Sequence, residues 1–550
     1  MKIRDIYYDI HVPYDAAKCF DENNDNYITI MKHLDEAVKK INFFVPKSPE
    51  FYKSIDDASA YMKDVFYGQI CGKSEHAVNC IGHTHIDIAW LWTVAQTREK
   101  VQRSFSTVLN LMKKYPEYKF MSSQPQLFAL LKNDAPELYD KIKTAVKEKK
   151  FELEGSMWLE ADCNLSSGES LIRQILFGKR FFKDEFGVDN KSVWLPDVFG
   201  YSAALPQIMK KSGIDYFVTA KISWCESNTM PHDSFMWQGI DGSEIFTYLM
   251  TAQDVPMDGK PLRTTSYVGH IRPSMVLGSW KRYHDKKYCD ESLITFGFGD
   301  GGGGPTADML EQQRRLAHGI PGIPKTTIGF AMDFIDRVKR SFDEYCKISG
   351  STPRWVGELY LEMHRGTYTS IAKNKRNNRK SEIMYQKAEA VSVMDNLLFG
   401  TKYPQDEINS AWKVILLNQF HDVIPGSSIN EVYEITDREY AEIMKTGNSI
   451  ISEKTLHIAD SVKTGGGMFV YNPNAFECST IVNNGNERIY VENIPALGYK
   501  VVNEYNADTG ITFENGVAET PFYKVCFDEN ANISSIYDKE NGREINSGVF

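Results

Sequence analysis

The sequence predicts a multidomain protein. An N-terminal α/β domain, built as a distorted parallel barrel, is followed by an all-α helical bundle and then by the beginning of an all-β sandwich. Three observations carry this reading. From residue 76 to about 350, short apolar runs alternate with stretches of helical period, the pattern of strands and helices wound round a parallel sheet or barrel. From about 375 to 462 the apolar period is helical throughout, broken only by short turns at Pro404 and at Pro425-Gly426, as in an antiparallel bundle. After "TGGG" at 464–467 the pattern alternates residue by residue in "MFVYNP", "STIVNN", "ERIYVENI" and "YKVVNEY", as strands with one wet face do.

Taken in order, residues 1–75 form a mixed, helix-containing preamble. In 76–350 the run "AVNCIGH" precedes a helix containing "TREKVQRSFSTVLNLMKKY", and "KFMSS" precedes "QPQLFALLKNDAPELYDKIKTAVKEKK". "FELEGS" leads to "SGESLIRQILFGKRFFKDEF", and "KSVWLPD" to "SAALPQIMKKSG" and then "DYFVTA". "EIFTYLM" and "LITFGFG" come later, the second followed by "TADMLEQQRRLAHG". The bundle occupies 351–463, and the incomplete sandwich 468–550.

At 550 residues the chain exceeds one ordinary core. Its composition is that of a globular protein, 42% hydrophobic and 25% charged, with a mean hydropathy of −0.39. A formal charge of −10 argues against nucleic acid or an anionic membrane as partner. Nine cysteines without a Cys-x-x-Cys fit a reducing compartment. The opening "MKIRDIYYDIHVPYDAAKCF" lacks a signal-type apolar core, and no run approaches membrane-spanning length. The expected location is the cytoplasm, and the sequons at Asn164 and Asn532 carry no weight there.

In α/β folds functional groups gather at the C-terminal ends of strands. His83, His85 and Asp87 follow the first run, Gln124 the second, Glu154, Glu160 and Asp162 the third, Asp197 the fourth, Lys221 the fifth and Asp300 a later one. Such repetition points to one shared cleft. In an extended strand His83, His85 and Asp87 share a side, and imidazole with carboxylate is a first-row-metal ligand set. A polar strand exit explains them equally well. Asp197 in "WLPDVFGYSAALPQI" also reads as the N-cap of the next helix. His421 in "LLNQFHDVIPGSS" also reads as a cation complementing a helix C-terminus. "GELYLEMHRGTYTS", with Glu358, Tyr360, Glu362, His364 and Arg365, also reads as a salt-bridged strand or loop. "GFGDGG" is formally a dinucleotide fingerprint, but it lacks an acidic residue on the next strand. Its glycines instead suit a tight turn presenting Asp300, whose bland role is to bond that turn's amides.

Together, "GHTHIDIAWLW", "WLPDVFGYSAALPQI", "GDGGGGPT", "GELYLEMHRGTYTS", "NQFHDVIPGSSI" and "EADCNLSSGESLIRQ" resemble, in the same order, the α-mannosidases of glycoside hydrolase family 38. The resemblance runs from about residue 76 to the end. It is closer to the bacterial, fungal-vacuolar and cytosolic branch than to the Golgi or lysosomal one, and it marks the chain as the N-terminal part of a longer one. It implies one Zn2+ per chain, with Co2+ acceptable, bound by His85, Asp87, Asp197 and His421. It implies Asp197 as nucleophile of a retaining hydrolase and Asp300 as its acid/base, although Golgi-type members carry Asp-Asp where this chain has Asp300-Gly301. His83, Trp90, Tyr201, Lys221, Tyr360, His364 and Arg365 are pocket residues by position, with His83 expected to support the metal from behind the ligands.

The implied substrate is a terminal, non-reducing α-linked mannose of an oligosaccharide or glycan, and a homo-oligomer is possible. A metal-dependent amidohydrolase also carries His-x-His after its first strand. However, His232, His270, His284 and His318 do not directly follow apolar strand runs. A carbohydrate-binding protein with a structural metal is the non-enzymatic alternative.

Overall fold

The computed structural model describes residues 2–256, 262–485, 487–503 and 510–546. The chain divides into two compact units. One joins Met1–Ile383 to Asn409–Met444, and the other joins Met384–Ile408 to Lys445–Phe550.

The first unit opens with helices Lys2–Ala17, Asp25–Val38 and Pro49–Tyr61, the last running into a π-helical turn at Met62–Ile70. The strands that follow are β1 (Ala77–His83), β2 (Phe120–Ser122), β3 (Phe151–Leu153), β4 (Ser192–Trp194), β5 (Tyr216–Thr219), β6 (Ser234–Gln238), β7 (Glu244–Leu249), β8 (Glu291–Phe296), β9 (Lys325–Ile328) and β10 (Arg354–Val356). They pair in two five-stranded sheets. In the first, β3-β2-β1-β8 run parallel, and β9 also lies parallel to β1. The second has the order β10-β6-β7-β5-β4. All its pairs are parallel except β6–β7, a hairpin closed at Gly239–Ser243 by a 2.9 Å backbone bond. A sheet of mixed, mainly parallel strands flanked by helices is therefore present. The sequence reading did not anticipate β6, β9 or β10.

The near-continuous apolar run of β1 is buried along almost its whole length, as a strand covered on both faces must be. Helix Val94–Lys114 begins with a capping box between Thr93 and Gln96, which satisfies free amides of its first turn, and ends on Lys113 and Lys114, which complement the dipole there. Helix Gly168–Phe186 is capped by Ser167 and stopped by Gly187 at φ 73°. One core gathers Val193, Leu195, Phe217, Phe235 and Trp237, and a second gathers Ile81, Trp194, Val218, Phe246 and Phe334. These layers fix the strand ends from which the site is built.

Helices Ala372–Phe399, Gln405–Asn418 and Asn430–Ser461 follow, where the sequence period is helical. The third begins just beyond the Pro425-Gly426 turn. In the second unit, Met468–Asn472 pairs antiparallel with Gly498–Val502, and Cys478–Asn484 with Glu487–Ile494. Five short strands from Thr512 to Glu544 make an antiparallel meander. Val470, Ile489, Val491 and Ile494 form a small apolar cluster among these strands.

Candidate active site and metal centre

The chain leaves β1 after His83, so His83, His85 and Asp87 do not share one strand face. The His83 ring packs against Trp194, with centroids 5.7 Å apart, and its buried Nδ1 has no hydrogen-bond partner. Burial, reinforced by His85, holds its pKa down at about 3. Beyond it, an Ile86–Gly301 bridge and a 2.9 Å bond from the Asp87 N–H to the Asp300 carbonyl clamp the segment to the glycine-rich turn. This turns His85 towards Asp87, with Nε2 2.9 Å from Oδ1.

Asp197 follows β4, but the next helix begins at Leu205 and its N-cap is Ala204, so the capping explanation does not apply. His421 does not occupy a last helical turn, because helix Gln405–Asn418 has already ended. The reason is competition for the backbone. Phe420 bridges Ala161, Asp162 N–H bonds the Gln419 carbonyl, and His421 N–H bonds the Glu160 carbonyl. The loop after β3 thereby carries His421 to within 3.4 Å of Asp87 and 4.0 Å of Asp197.

His85, Asp87, Asp197 and His421 are all buried, and their ligand atoms lie within 4.8 Å of one another. Donors arranged tetrahedrally about a cation at about 2.1 Å lie about 3.4 Å apart, so the four side chains have to draw inward to close the cage. The electrostatics fit as well. Burial works against charge on His85, but Glu160 and Asp87 outweigh it and hold its pKa well above the ordinary value. For His421 burial is likewise overcome by Asp87 and Asp422, and its pKa stands at about 9. Burial raises Asp422 to about 7, with Asp87 and Asp197 adding to the rise. Nε2 of His421 is buried without a hydrogen bond. Carboxylates that outweigh the desolvation of two buried imidazoles make this a pocket that favours positive charge, and with an unbonded imidazole nitrogen among them these residues fit a divalent metal.

Asp300 sits at φ 55°, a left-handed conformation that costs a non-glycine residue energy. Gly297 before it, at φ 140°, leaves no room for a Cβ, which would lie 2.1 Å from the His83 carbonyl. The Asp300 carboxylate accepts a 2.9 Å bond from Tyr267. Burial raises its pKa, the charges of Asp87 and Asp197 raise it further, and His85 and the Tyr267 bond pull against them. Tyr267 itself is raised far out of reach, by burial first and then by Asp197 and Asp300, so it stays a donor. Neither its sequence neighbourhood nor its spacing distinguishes it.

Lys221 is ion-paired with Asp197 and lies over the rings of Phe199 and Trp224, 5.2 and 4.7 Å from their centroids. His364 stacks on Phe199 at 4.3 Å. Tyr360 accepts a 2.8 Å bond from Arg365, and both remain accessible. Trp90 is half-buried, edge-on to Trp92 at 5.8 Å. Tyr201 is a core residue, its hydroxyl bonded to the Leu195 carbonyl and to Thr219. Of the other strand-end groups, Glu154 is occupied in binding Gly155, Lys191 and Ser192, Asp162 bonds the amides of Asn164 and Leu165, and Gln124 donates to the Ile86 carbonyl.

The family model of the glycosyl hydrolases family 38 N-terminal domain matches residues 75–358, and that of the alpha mannosidase middle domain matches 362–458. Alpha-mannosidase G of Dictyostelium discoideum is 37% identical over 459 residues, 83% of this chain and 40% of that protein. An alpha-mannosidase of Saccharomyces cerevisiae is 42% identical over 374 residues, 66% and 33% respectively. Human alpha-mannosidase 2C1 is 32% identical over 534 residues, 93% and 48% respectively. The chain thus spans less than half the length of these relatives. The fold matches the crystal structure of an alpha-mannosidase from Enterococcus faecalis V583 with a TM-score of 0.70 at 17% identity, covering 86% of this chain and 61% of that one. With its N-terminal and middle domains both matched, the chain belongs to glycosyl hydrolase family 38.

Proposed function

We propose that this chain carries the catalytic site of a metal-dependent, retaining α-mannosidase that removes terminal non-reducing α-linked mannose from oligosaccharides or glycans. The observation that carries the reading is the convergence of His85, Asp87, Asp197 and His421 beside Asp300, in a chain whose relatives are named alpha-mannosidases. Held by these four residues, Zn2+ or Co2+ would supply Lewis-acid attraction for mannose hydroxyls and so ease distortion of the ring.

The chain's own residues do the rest. The Asp197 carboxylate forms a bond to the anomeric carbon as the glycosidic C–O bond breaks, and Asp300 gives its proton to the departing oxygen. Asp300 then takes a proton from water. That water attacks the anomeric carbon, the Asp197 ester is released, and the α configuration is restored. The raised pKa of Asp300 suits the acid role. Lys221 neutralises Asp197 until substrate arrives, and Tyr267 orients Asp300. Trp90, Tyr360, His364 and Arg365 line the approach, and His83 underlies the site.

The proposal extends to architecture and setting. The backbone bond from Ser156 to Ser192, 2.9 Å long, supports closure of the two sheets into one distorted barrel over 76–350. The helices of 351–463 then form the bundle, and the antiparallel pairs of 468–550 begin a sandwich. No helix among the described residues is long and apolar enough to cross a membrane. All nine cysteines are free, which supports a cytoplasmic setting, and a homo-oligomer remains compatible with the reading.

Hydrolysis of an aryl α-mannoside by this chain and by a version extended through the relatives' remaining length, each with metal analysis, tests the proposal. Absence of mannose release from both, with metal present, refutes it.

A further inference from the structure

Glu160 follows β3, is 1% exposed, and touches both imidazoles of the candidate metal centre. Its Oε2 lies 3.0 Å from Nδ1 of His85, off the line of a straight hydrogen bond, and neither atom has any other partner. Its main-chain carbonyl lies 2.9 Å from Nδ1 of His421 and also accepts the His421 backbone N–H at 3.2 Å. Its second carboxylate oxygen is held by the Ser123 hydroxyl at 3.1 Å.

We infer that Glu160 is the positioning residue of the metal centre, setting the tautomer and aim of both histidines, His85 through its side chain and His421 through its main chain. The inference rests on the metal reading above. A neutral imidazole carries one proton. A metal held by Nε2 leaves the ring's one proton on Nδ1, where it faces the Glu160 carboxylate in His85 and the Glu160 carbonyl in His421. Both Nε2 lone pairs then face Asp87 and Asp197, where His85 Nε2 lies 2.9 Å and His421 Nε2 3.4 Å from Asp87. Acceptors ranged against acceptors repel unless positive charge sits among them. Partners behind ligating histidines act in this way in metal sites generally.

The two supports differ in one testable respect. Substitution at position 160 removes the carboxylate behind His85 but leaves the carbonyl behind His421. Titration of the 550-residue chain with Co2+, followed by its d–d absorption and by Zn2+ competition, should show Glu160→Gln weakening affinity about 10–100-fold. In a His85→Ala background the same substitution should cost nothing further, because the ring it positions is gone. If Glu160→Gln does not fold, Glu160→Asp, which keeps the charge but withdraws it from His85, should show the same His85-dependent loss. Undiminished affinity in Glu160→Gln, or an equal loss with and without His85, overturns the inference alone. Failure of the unsubstituted chain to bind Co2+ or Zn2+, or unchanged binding in His85→Ala, overturns the metal reading and this inference with it.

Discussion

The phenol of Tyr267 donates a 2.9 Å hydrogen bond to Oδ1 of Asp300, tying the proposed acid to a residue from a separate loop. That bond pulls the Asp300 pKa down against burial. Tyr267→Phe should therefore raise it. An acid works only while protonated, so activity is lost as pH rises through its pKa, and the alkaline limb of the kcat/KM profile should move to higher pH in this variant. An unmoved limb with lower kcat would mean that Tyr267 acts elsewhere.

Asp300→Ala should slow substrates with poor leaving groups by about 10²–10⁴-fold, and activated aryl mannosides much less, with azide restoring turnover. Equal losses for good and poor leaving groups, without azide rescue and with a lower Tm, would make Asp300 structural. The acid would then be sought among Glu358, Glu362 and Asp162. Glu362 is the weakest of these, because its carboxylate is already bound to Cys225 and to the amides of Glu226 and Ser227. Asp162 is also engaged by backbone amides.

Asp197→Ala should abolish hydrolysis of good and poor leaving groups alike, because bond formation to the anomeric carbon is required by both. NMR of the first-formed sugar should show α-mannose. β-Mannose would identify an inverting enzyme and remove Asp197 as nucleophile.

Metal analysis should find His421→Ala and His85→Ala depleted, since each leaves three of four clustered donors. His83→Ala should retain most of its metal, as that ring packs on Trp194 and no donor of the cluster bonds to it. Full metal content in both His85→Ala and His421→Ala would disprove the ligand set.

Glu152 offers a test far from the chemistry. It accepts bonds from the amides of Ala331 and Met332 at the start of helix Ala331–Ser349, 2.6 and 3.1 Å long, yet burial pushes its pKa up to about 8. The folded protein thus holds more protons than the unfolded one between about pH 4.5 and 8, and this residue's contribution to stability falls as pH rises through that window. Glu152→Gln cannot ionise. Its Tm relative to the parent should climb from pH 5 to pH 8, by about 1–3 °C. A pH-independent difference would show that the carboxyl is not raised.

The sequence by itself determined the order of layers and the identity of the chemical groups. Apolar runs such as "AVNCIGH" and "LITFGFG" mark buried strands because a strand covered on both faces has no polar side to alternate, and the long helical periods of 372–461 are equally direct. The short strands β6, β9 and β10 escaped because the apolar run of Ser234–Gln238 is only Phe235–Met236–Trp237 with no helical stretch following it, Lys325–Ile328 carries a single apolar residue, and Arg354–Val356 is only three residues long. The motifs supplied His85, Asp87, Asp197, His421 and Asp300.

Tertiary structure alone decided which of these groups meet and what holds them. His83 looks equivalent to His85 along the chain, but β1 ends between them, and the clamp to Asp300 and Gly301 turns only His85 towards Asp87. Tyr201 looks like part of the aromatic turn beside Asp197, yet its hydroxyl is consumed by Leu195 and Thr219 in the core. Glu160 and Tyr267 carry no motif of their own. Their place depends on backbone bonds between segments far apart in sequence, such as Asp162 with Gln419, and local periodicity cannot encode a hydrogen bond formed only after the layers have packed.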